Sequence, residues 1–283
     1  MPTLPPELVE DVVRRALAED LGHGGDLTTD PAILASLQAE AEIVARQDLV
    51  VAGLPLVVAV FAQLDPLLEV CLRHREGDPV RDETVVATLK GSAAPMLQGE
   101  RTALNFVMRM SGVATATAEA VHEVAGTGVQ ILDTRKTIPG WRVLDKYAVR
   151  IGGGTNHRMG LYDAVMIKDT HLATGRPIME WVAAALASGV TKDRITVEVR
   201  DLDQLQEAIA SGAGRALLDN MGLDALRASV EAARGLIVLE ASGGLMPGRL
   251  RDVAETGVDC MSLGYLTHSA GAADLSMRLS MGR

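Results

Sequence analysis

The chain has 283 residues, 48% of them apolar and 23% charged, which predicts one large α/β domain or two smaller ones and excludes a disordered protein. Its net charge of −10, with only 2 Trp, 3 Tyr and 2 Phe, argues against nucleic-acid binding. The two cysteines, Cys71 and Cys260, suggest neither a disulfide framework nor a cysteine metal site. The N-terminus has no secretory pattern and the longest uncharged stretch, residues 49–64, is too short to cross a bilayer, so we expect a cytoplasmic protein without a membrane partner.

The N-terminal part of the chain mixes helical and strand patterns. Leu8, Val12 and Leu17 recur at helical spacing, which predicts a helix over residues 5–19 that ends at "DLGHGGDLTTD". Short strands and a helix over residues 54–64 are predicted next, bounded by turn sequences such as "REGDPVRDE".

After about residue 112 the sequence alternates between short apolar segments and helical or glycine-rich stretches. Most of the apolar segments stop on a polar, charged or glycine residue; they read "VQILDTR", "AVMIKD", "ITVEVR", "RALLDN", "LIVLEASGG" and "VDCMSLG". Buried parallel strands have this pattern when their C-terminal ends open into a site. Between them, "DLDQLQEAIASGAG" and "LDALRASVEAARG" have the pattern of amphipathic helices that end at glycine. The alternation predicts a βα barrel or an open parallel sheet.

These strand ends bring charged residues together on one functional face, where the carboxyl ends of the strands meet. The residues are Arg135, Lys136, Lys168, Asp169, Glu198 and Asp219, with small-residue loops at 241–244 and 262–264. Residues 134–171 hold seven Lys or Arg against three acids in an otherwise acidic chain, which predicts a small anionic ligand. The cations suited to its carboxylates or phosphates are Arg135, Lys136, Arg158 and Lys168. Surface solvation is the alternative, but it does not explain cations at the ends of apolar strands.

The small and acidic residues at the strand ends predict two further parts of a site. The loops 242–244 ("SGG") and 262–264 ("SLG") leave backbone N–H groups free for a phosphate, which the following helix N-termini also favour. Tight turns without a ligand are the alternative. Glu198 and Asp219 suit Mg²⁺ or ribose hydroxyls, and salt bridges to the basic residues are the alternative there.

Residues 152–158 read "GGGTNHR". This stretch combines glycines, which lose much conformational entropy on folding, with a His-Arg pair. The glycines allow the backbone to approach a ligand closely, because no Cβ intervenes. His157 is disfavoured as a cation beside Arg158, so we expect a neutral donor that orients a substrate carboxylate.

Several longer motifs resemble those of one protein family. They read "EDLGHGGDLTTD", "GERTALNFVMRMSGVAT", "DTRKTIPG", "DKYAVRIGGGTNHRMGLYDAVMIKDTH", "VEV" with "LLDN", and "GVDCMSLGYLTHS". Over about residues 8–279 the chain resembles quinolinate phosphoribosyltransferase, which acts in NAD biosynthesis on quinolinate and phosphoribosyl pyrophosphate (PRPP). The resemblance implies an N-terminal open-faced α/β sandwich over residues 1–112, completed by 270–283. It also implies an incomplete, open βα barrel of TIM-like type over residues 113–269.

The resemblance further implies roles for single residues. Arg101 is implied to reach the active site of a neighbouring subunit in a homodimer or higher even oligomer. Quinolinate is implied to contact Arg135, His157, Arg158 and Lys168, and PRPP is implied to contact Lys136 and Lys168. The ribose and Mg²⁺ are implied to face Glu198 and Asp219. The 5′-phosphate is implied to bind to the loops that contain Ser242, Gly243, Gly244, Ser262, Leu263 and Gly264, and Thr134 completes the substrate-binding set. The residues implied to be catalytic are Lys136, Lys168, Glu198 and Asp219.

Three other functions remain open at the level of sequence. One is a molybdate-transport-associated paralogue of the same fold, although that group has a changed motif where "MIKD" stands here. A Schiff-base barrel lyase with Lys168 as nucleophile is the second, and a non-catalytic phosphoribosyl sensor is the third. Arg200, Trp141 and Gly244 depart from the family pattern and bear on fine specificity rather than on the reaction.

Overall fold

A computed structural model describes residues 2–32 and 37–281 of the chain. The chain forms two compact units: the first contains residues 1–116, 147–152 and 270–283, and the second contains residues 117–146 and 153–269. Residues 1, 33–36, 282 and 283, which fall within the predicted sandwich domain, lie outside the described residues.

Helices and short strands alternate in the N-terminal part of the chain. In order they are α1 (Pro6–Leu21), α2 (Thr29–Ala32), β1 (Gln38–Ala45), β2 (Leu49–Val50), α3 (Leu54–Leu64), β3 (Glu69–Leu72), β4 (Pro79–Val80), β5 (Val85–Ser92) and α4 (Ala93–Glu123). The helices predicted over residues 5–19 and 54–64 are therefore confirmed as α1 and α3. The predicted domain boundary near residue 112 lies inside α4.

The C-terminal part contains the predicted βα alternation. Its elements are β6 (Gln130–Leu132), α5 (Arg142–Ile151), β7 (Val165–Ile167), α6 (Asp169–Leu172), α7 (Ile178–Ala187), a 3₁₀ turn (Lys192–Arg194), β8 (Ile195–Val199), α8 (Leu202–Ser211), β9 (Arg215–Asp219), α9 (Leu223–Ala233), β10 (Val238–Ser242), α10 (Leu250–Ala254), β11 (Cys260–Ser262), α11 (Tyr265–His268) and β12 (Leu275–Met281). All six predicted strands are present as β6 to β11. The C-cap of α8 is Gly212, as predicted, whereas the C-cap of α9 is Arg234, one residue before Gly235.

The first unit is built on an antiparallel sheet with the strand order β12, β1, β5, β3. Strand β1 alternates buried and exposed residues: Ala39, Ala41 and Ile43 are buried, whereas Glu40 and Glu42 are exposed. This period of two is expected of a sheet that packs on one face only. The C-terminal strand β12 pairs with β1 and extends the sheet. An open-faced sandwich is therefore confirmed.

The second unit is built on six parallel strands in the order β6, β11, β10, β9, β8, β7. Asp219 of β9 and Ser262 of β11 both pair with Ser242 of β10, so the C-terminal ends of these strands lie at one edge of the sheet. Within the described ranges no hydrogen bonds join β6 to β7, and the barrel is open. The predicted incomplete βα barrel is confirmed.

No helix in the described part of the chain combines the length and the apolar character needed to span a bilayer.

Candidate active site

A cavity of about 490 Å³ opens at the C-terminal ends of the strands in the second unit. Most of the predicted site residues line it: Thr134, Arg135, Lys136, His157, Arg158, Lys168, Glu198, Asp219, Ser242, Gly243, Gly244 and Ser262. The βα architecture thus brings together residues that are more than a hundred positions apart in sequence, because parallel strands all end at the same edge of the sheet.

Three predicted site residues do not line the cavity. Arg101 is exposed on α4 in the first unit. Leu263 is buried and its backbone N–H donates to the Leu132 carbonyl over 2.9 Å, so this N–H is not free for a phosphate. A Cβ at Gly264 would lie only 3.1 Å from Lys136 Cδ, so the glycine allows that side chain to pack closely against the backbone.

Residues 153–158 lie beside the edge strand β6. The Thr155 N–H donates to the Ile131 carbonyl over 2.8 Å, and the Asp133 N–H donates to the Thr155 carbonyl over 3.1 Å. Gly153 has φ +90°, a conformation that residues with a Cβ rarely adopt. The glycine therefore turns the chain into a strand-like path that ends with His157 and Arg158 in the cavity.

A buried carboxylate holds this segment in place. Asp133 is fully buried and accepts hydrogen bonds from the His157 N–H (2.8 Å), from Asn156 Nδ2 (2.6 Å) and from Lys146 Nζ. Lys146 Nζ, also buried, donates to the His157 carbonyl over 3.0 Å. Burial raises the pKa of Asp133 and lowers that of Lys146, because both charges have lost water, and their mutual attraction opposes both shifts. Asp133 directly precedes Thr134 and Arg135, so one network fixes both basic segments.

Two buried hydrogen-bond donors in the cavity have no acceptor among the described residues: Arg135 Nε and His157 Nε2. The Arg158 N–H donates to His157 Nδ1 over 2.7 Å, so a neutral His157 ring carries its proton on Nε2. His157 Nε2 lies 3.2 Å from Glu240 Oε2, but its N–H is not directed well enough for a hydrogen bond. A buried donor without an acceptor costs about 1–3 kcal/mol, so Arg135 Nε indicates a ligand with acceptor oxygens, and His157 Nε2, which has only the misaligned Glu240 carboxylate beside it, can donate to the same ligand.

Arg158 adds further positive charge at the same place. Its Nη1 donates to the Ala164 carbonyl over 2.9 Å, which holds the guanidinium in position. Burial lowers the pKa of Arg158, and repulsion from Arg135 lowers it further. Two arginines that repel each other gain stability when an anion lies between them.

The ends of β7, β8 and β9 bring a lysine and both acids to the cavity. Lys168 Nζ lies 3.3 Å from Glu198 Oε2, so the salt bridge that was an alternative for Glu198 does form. Lys168 is partly exposed, and such a pair contributes at most about 1 kcal/mol. For Asp219 no ion pair occurs within the described residues. Arg200, a departure from the family pattern, pairs with Asp169 beside Lys168.

The loop after β10 has a tightly determined backbone. Gly243 and Gly244 have φ +93° and +60°, and a Cβ at Gly243 would lie 2.3 Å from Asn220 Oδ1. Asn220 itself has φ +54°, and its N–H donates to the Ser242 carbonyl over 2.9 Å. The expected help from helix N-termini is small, because α10 begins only at Leu250 and α11 has four residues.

Four residues of the cavity were not predicted from the sequence. They are Met166, Leu217, Asn220 and Glu240. Three of them lie two positions before a predicted site residue, namely Lys168, Asp219 and Ser242. Alternate residues of a strand share one face, so a period of two counted back from each strand end identifies this deeper layer.

Comparison with known proteins places the chain in a family. The model described as "Quinolinate phosphoribosyl transferase, C-terminal domain" matches residues 113–278, and the N-terminal domain model of the same name matches residues 26–111. The chain belongs to the quinolinate phosphoribosyltransferase family. The resemblance stated from the motifs is therefore confirmed.

Individual members of the quinolinate phosphoribosyltransferase family match over nearly the whole chain. A probable nicotinate-nucleotide pyrophosphorylase [carboxylating] of Bacillus subtilis is 43% identical, covering 93% of this chain and 90% of the relative. The Synechocystis protein of the same name is 41% identical and covers 99% and 95%. The crystal structure of NadC from Streptococcus pyogenes has 33% identity and a TM-score of 0.95 with full coverage of both chains. The nicotinate-nucleotide pyrophosphorylase structure from Francisella tularensis has 36% identity and a TM-score of 0.91, covering 98% of each.

Proposed function

We propose that this chain transfers the phosphoribosyl group of PRPP to quinolinate with loss of CO₂, giving nicotinate mononucleotide and pyrophosphate in NAD biosynthesis. Membership of the quinolinate phosphoribosyltransferase family supports this assignment. The observation that carries it is a pair of buried donors that make no well-formed hydrogen bond among the described residues, Arg135 Nε and His157 Nε2, in a cavity lined by several further cations. Quinolinate is a flat dianion, and its carboxylates supply the missing acceptors.

We assign the quinolinate subsite to Arg135, His157, Arg158 and Lys168, with Thr134 beside them. PRPP then lies toward the ends of β8 to β11, and Lys136 and Lys168, which follow β6 and β7, offset the charge of its pyrophosphate. The 5′-phosphate is assigned to the loop Ser242–Gly244 and to Ser262. Leu263 and Gly264 are left out of this assignment, because they do not line the cavity and the Leu263 N–H is bonded to the Leu132 carbonyl.

We propose Mg²⁺ as the cofactor, held by Glu198 and Asp219 together with water and substrate oxygens. No cluster of three or more His, Cys, Asp or Glu side chains able to hold a metal occurs among the described residues. Two carboxylates lining one cavity fit Mg²⁺, which keeps several waters and binds through one or two carboxylates and substrate phosphates. When bound, the ion neutralises negative charge on the pyrophosphate.

The proposed reaction has two steps. The lone pair of the quinolinate nitrogen attacks ribose C1 while the C1–O bond breaks and pyrophosphate leaves with the electron pair; Lys136 and Lys168 stabilise the departing charge. Glu198 and Asp219 hold the ribose as C1 becomes oxocarbenium-like. The bond to the carboxylate next to the positive nitrogen then breaks, its electron pair stays on the ring carbon, CO₂ leaves and the carbon takes up a proton. Electrostatic preorganisation and positioning supply the rate, without a covalent enzyme intermediate.

A coupled assay tests the function directly. The chain is incubated with PRPP and Mg²⁺, and quinolinate, nicotinate and nicotinamide are offered separately. We expect turnover with quinolinate only, with pyrophosphate and CO₂ released one to one. Turnover of nicotinate alone contradicts the proposal, as does PRPP binding without turnover, which a sensor predicts. Borohydride trapping of a substrate adduct on Lys168 contradicts it in favour of the lyase.

We further propose a homodimer or higher even oligomer in which Arg101 completes the partner's site. Arg101 is exposed on α4, so its side chain is accessible to a partner subunit. Equal amounts of inactive Arg101→Ala and Lys168→Ala chains, unfolded and refolded together, are expected to regain on the order of a quarter of wild-type activity, because half of the randomly mixed dimers carry one intact site. Exchange of subunits without any recovery contradicts the shared site.

Gly243→Ala tests the assignment of the phosphate loop. We expect the KM for PRPP to rise about tenfold, because the new Cβ meets Asn220 and the backbone must leave φ +93°. The matched control is Gly248→Ala, which also has positive φ (+83°) but whose Cβ has nothing within 4 Å. An equal effect of both variants on the KM for PRPP refutes the assignment.

We propose a cytoplasmic location for the chain. Both cysteines are free and Cys71 is exposed, as is usual in a compartment that keeps thiols reduced.

A further inference from the structure

A fully buried carboxylate lies in the wall of this anion-binding cavity. Glu240 occupies the middle of β10, with Oε2 3.0 Å from Arg215 Nη1 and 3.2 Å from His157 Nε2. Its Oε1 is also buried and has no hydrogen-bond partner among the described residues. A negative charge at this position repels a dianionic substrate, so its presence needs a physical reason.

Arg215 provides the counter-charge that allows Glu240 to remain ionised. Arg215 begins β9, two positions before Leu217, so its side chain points to the same inner face of the sheet. Burial alone would raise the pKa of Glu240, but the adjacent His157, Ser262 and Arg215 outweigh burial and hold that pKa below its ordinary value. A carboxylate that is buried and paired on one side presents its charge to His157 on the other.

The charge of Glu240 acts on the same ring nitrogen that we assign to the substrate. Nδ1 of His157 already accepts the Arg158 N–H, which leaves the proton on Nε2. A ring flipped by 180° would leave the Arg158 N–H without its acceptor and turn Nε2–H away from Glu240. Carboxylates that neighbour a functional imidazole commonly fix its tautomer and orientation in this way.

We propose that Glu240 is a positioning residue for His157: it keeps the proton on Nε2 and the ring aimed at a quinolinate carboxylate, while Arg215 serves as the counter-ion of Glu240. This inference rests on the proposed function, since it requires His157 to bind quinolinate. It gives Arg215 and Glu240, which carry charge on otherwise apolar strands, a part in substrate recognition without contact to the reacting atoms.

Glu240→Gln is the principal test, because glutamine keeps the size of the side chain and removes its charge. We expect the KM for quinolinate to rise about tenfold, as for other groups that orient a functional histidine, while kcat and the KM for PRPP change less than about threefold. The matched control is Asp259→Asn. Asp259 accepts the Leu239 N–H of the same strand over 2.7 Å and does not line the cavity, so its kinetics are expected to match the wild type.

A double-mutant cycle separates positioning from a merely structural role. In a His157→Ala background, Glu240→Gln is expected to change the KM for quinolinate by less than about twofold, because its effect acts through the missing ring. Arg215→Met is expected to raise the same KM and to be non-additive with Glu240→Gln. Full additivity of Glu240→Gln and His157→Ala overturns the proposal.

Histidine ¹⁵N spectra give a direct readout that does not depend on turnover. The His157 signal, assigned by its loss in His157→Ala, is expected to report a protonated Nε2 and an unprotonated Nδ1 in the wild type. A protonated Nδ1 in the neutral ring overturns the proposal even if Glu240→Gln fails to fold. An unchanged KM for quinolinate in Glu240→Gln does so as well, whereas a wild-type chain that binds quinolinate but does not turn it over contradicts the proposed function instead.

Discussion

Arg135→Met is expected to lower kcat/KM for quinolinate by about 10²–10³-fold while leaving the protein at least as stable as the wild type. The guanidinium lies in the cavity, and its buried Nε has no acceptor among the described residues. This N–H can therefore donate a hydrogen bond to a ligand. Methionine keeps the length and the apolar stem of the side chain but removes the charge. It also removes the repulsion that helps to lower the pKa of Arg158.

The combination of lost activity and retained stability makes this prediction specific. Arg142 is the informative contrast, because its guanidinium donates to Thr137 Oγ1, to the Met159 carbonyl and to the Arg135 carbonyl. Arg142→Met is therefore expected to lower the melting temperature, unlike Arg135→Met. Arg227→Met, on the exposed surface of α9, controls for the loss of any arginine and is expected to change neither activity nor stability. A kcat/KM within tenfold of wild type for Arg135→Met contradicts the quinolinate assignment.

The strand ends were predictable from sequence because their signal is local. Each apolar run stops on a polar or small residue, and parallel strands bring such residues to one edge whatever their distance in sequence. The ends of the apolar runs therefore predicted Arg135, Lys168 and Asp219 as site residues without any knowledge of the helices between the strands. They did not predict Glu240, because Glu240 lies inside its strand, two positions before the strand end at Ser242.

The pairing of charges could not be predicted from sequence composition. Lys146 and Arg142 were counted with the basic residues of segment 134–171. In the structure, however, Lys146 pairs with Asp133 and Arg142 donates hydrogen bonds to loop oxygens. Neither side chain lines the cavity. The net charge of a segment gives the excess of cations over acids. Which of these cations can bind a ligand depends on the partners that the fold brings near them.

The long helix α4 was missed for a related reason. Gly112 is the last residue of the sandwich domain that the family resemblance implies, yet it lies within α4. In the fold, a Cβ at this position would lie 2.0 Å from the Gly271 carbonyl oxygen, so the glycine permits close packing inside the first unit rather than ending a helix. A tertiary contact to a residue so far along the chain leaves no local signal.

Asp133→Asn is expected to lower the free energy of unfolding by about 3–5 kcal/mol, because it leaves the buried ammonium group of Lys146 without a counter-charge. Asparagine also replaces one acceptor oxygen by a donor, which then opposes either Lys146 Nζ or Asn156 Nδ2. Such a loss is a large part of the stability of a typical domain. Urea denaturation measures it, with Asp259→Asn as a matched control in which the acceptor for a backbone N–H is retained.

Lys146→Met added to Asp133→Asn provides the decisive comparison. The second substitution is expected to restore more than about 2 kcal/mol of the lost stability, because it removes the unpaired charge instead of breaking a further contact. Lys146→Met alone is expected to cost less than Asp133→Asn, since Asp133 then keeps its bonds from the His157 N–H and from Asn156. Additive losses in the double variant would show that the network is held by packing rather than by charge. In all three variants the backbone of His157 loses part of its support, so the KM for quinolinate should rise even where stability is recovered.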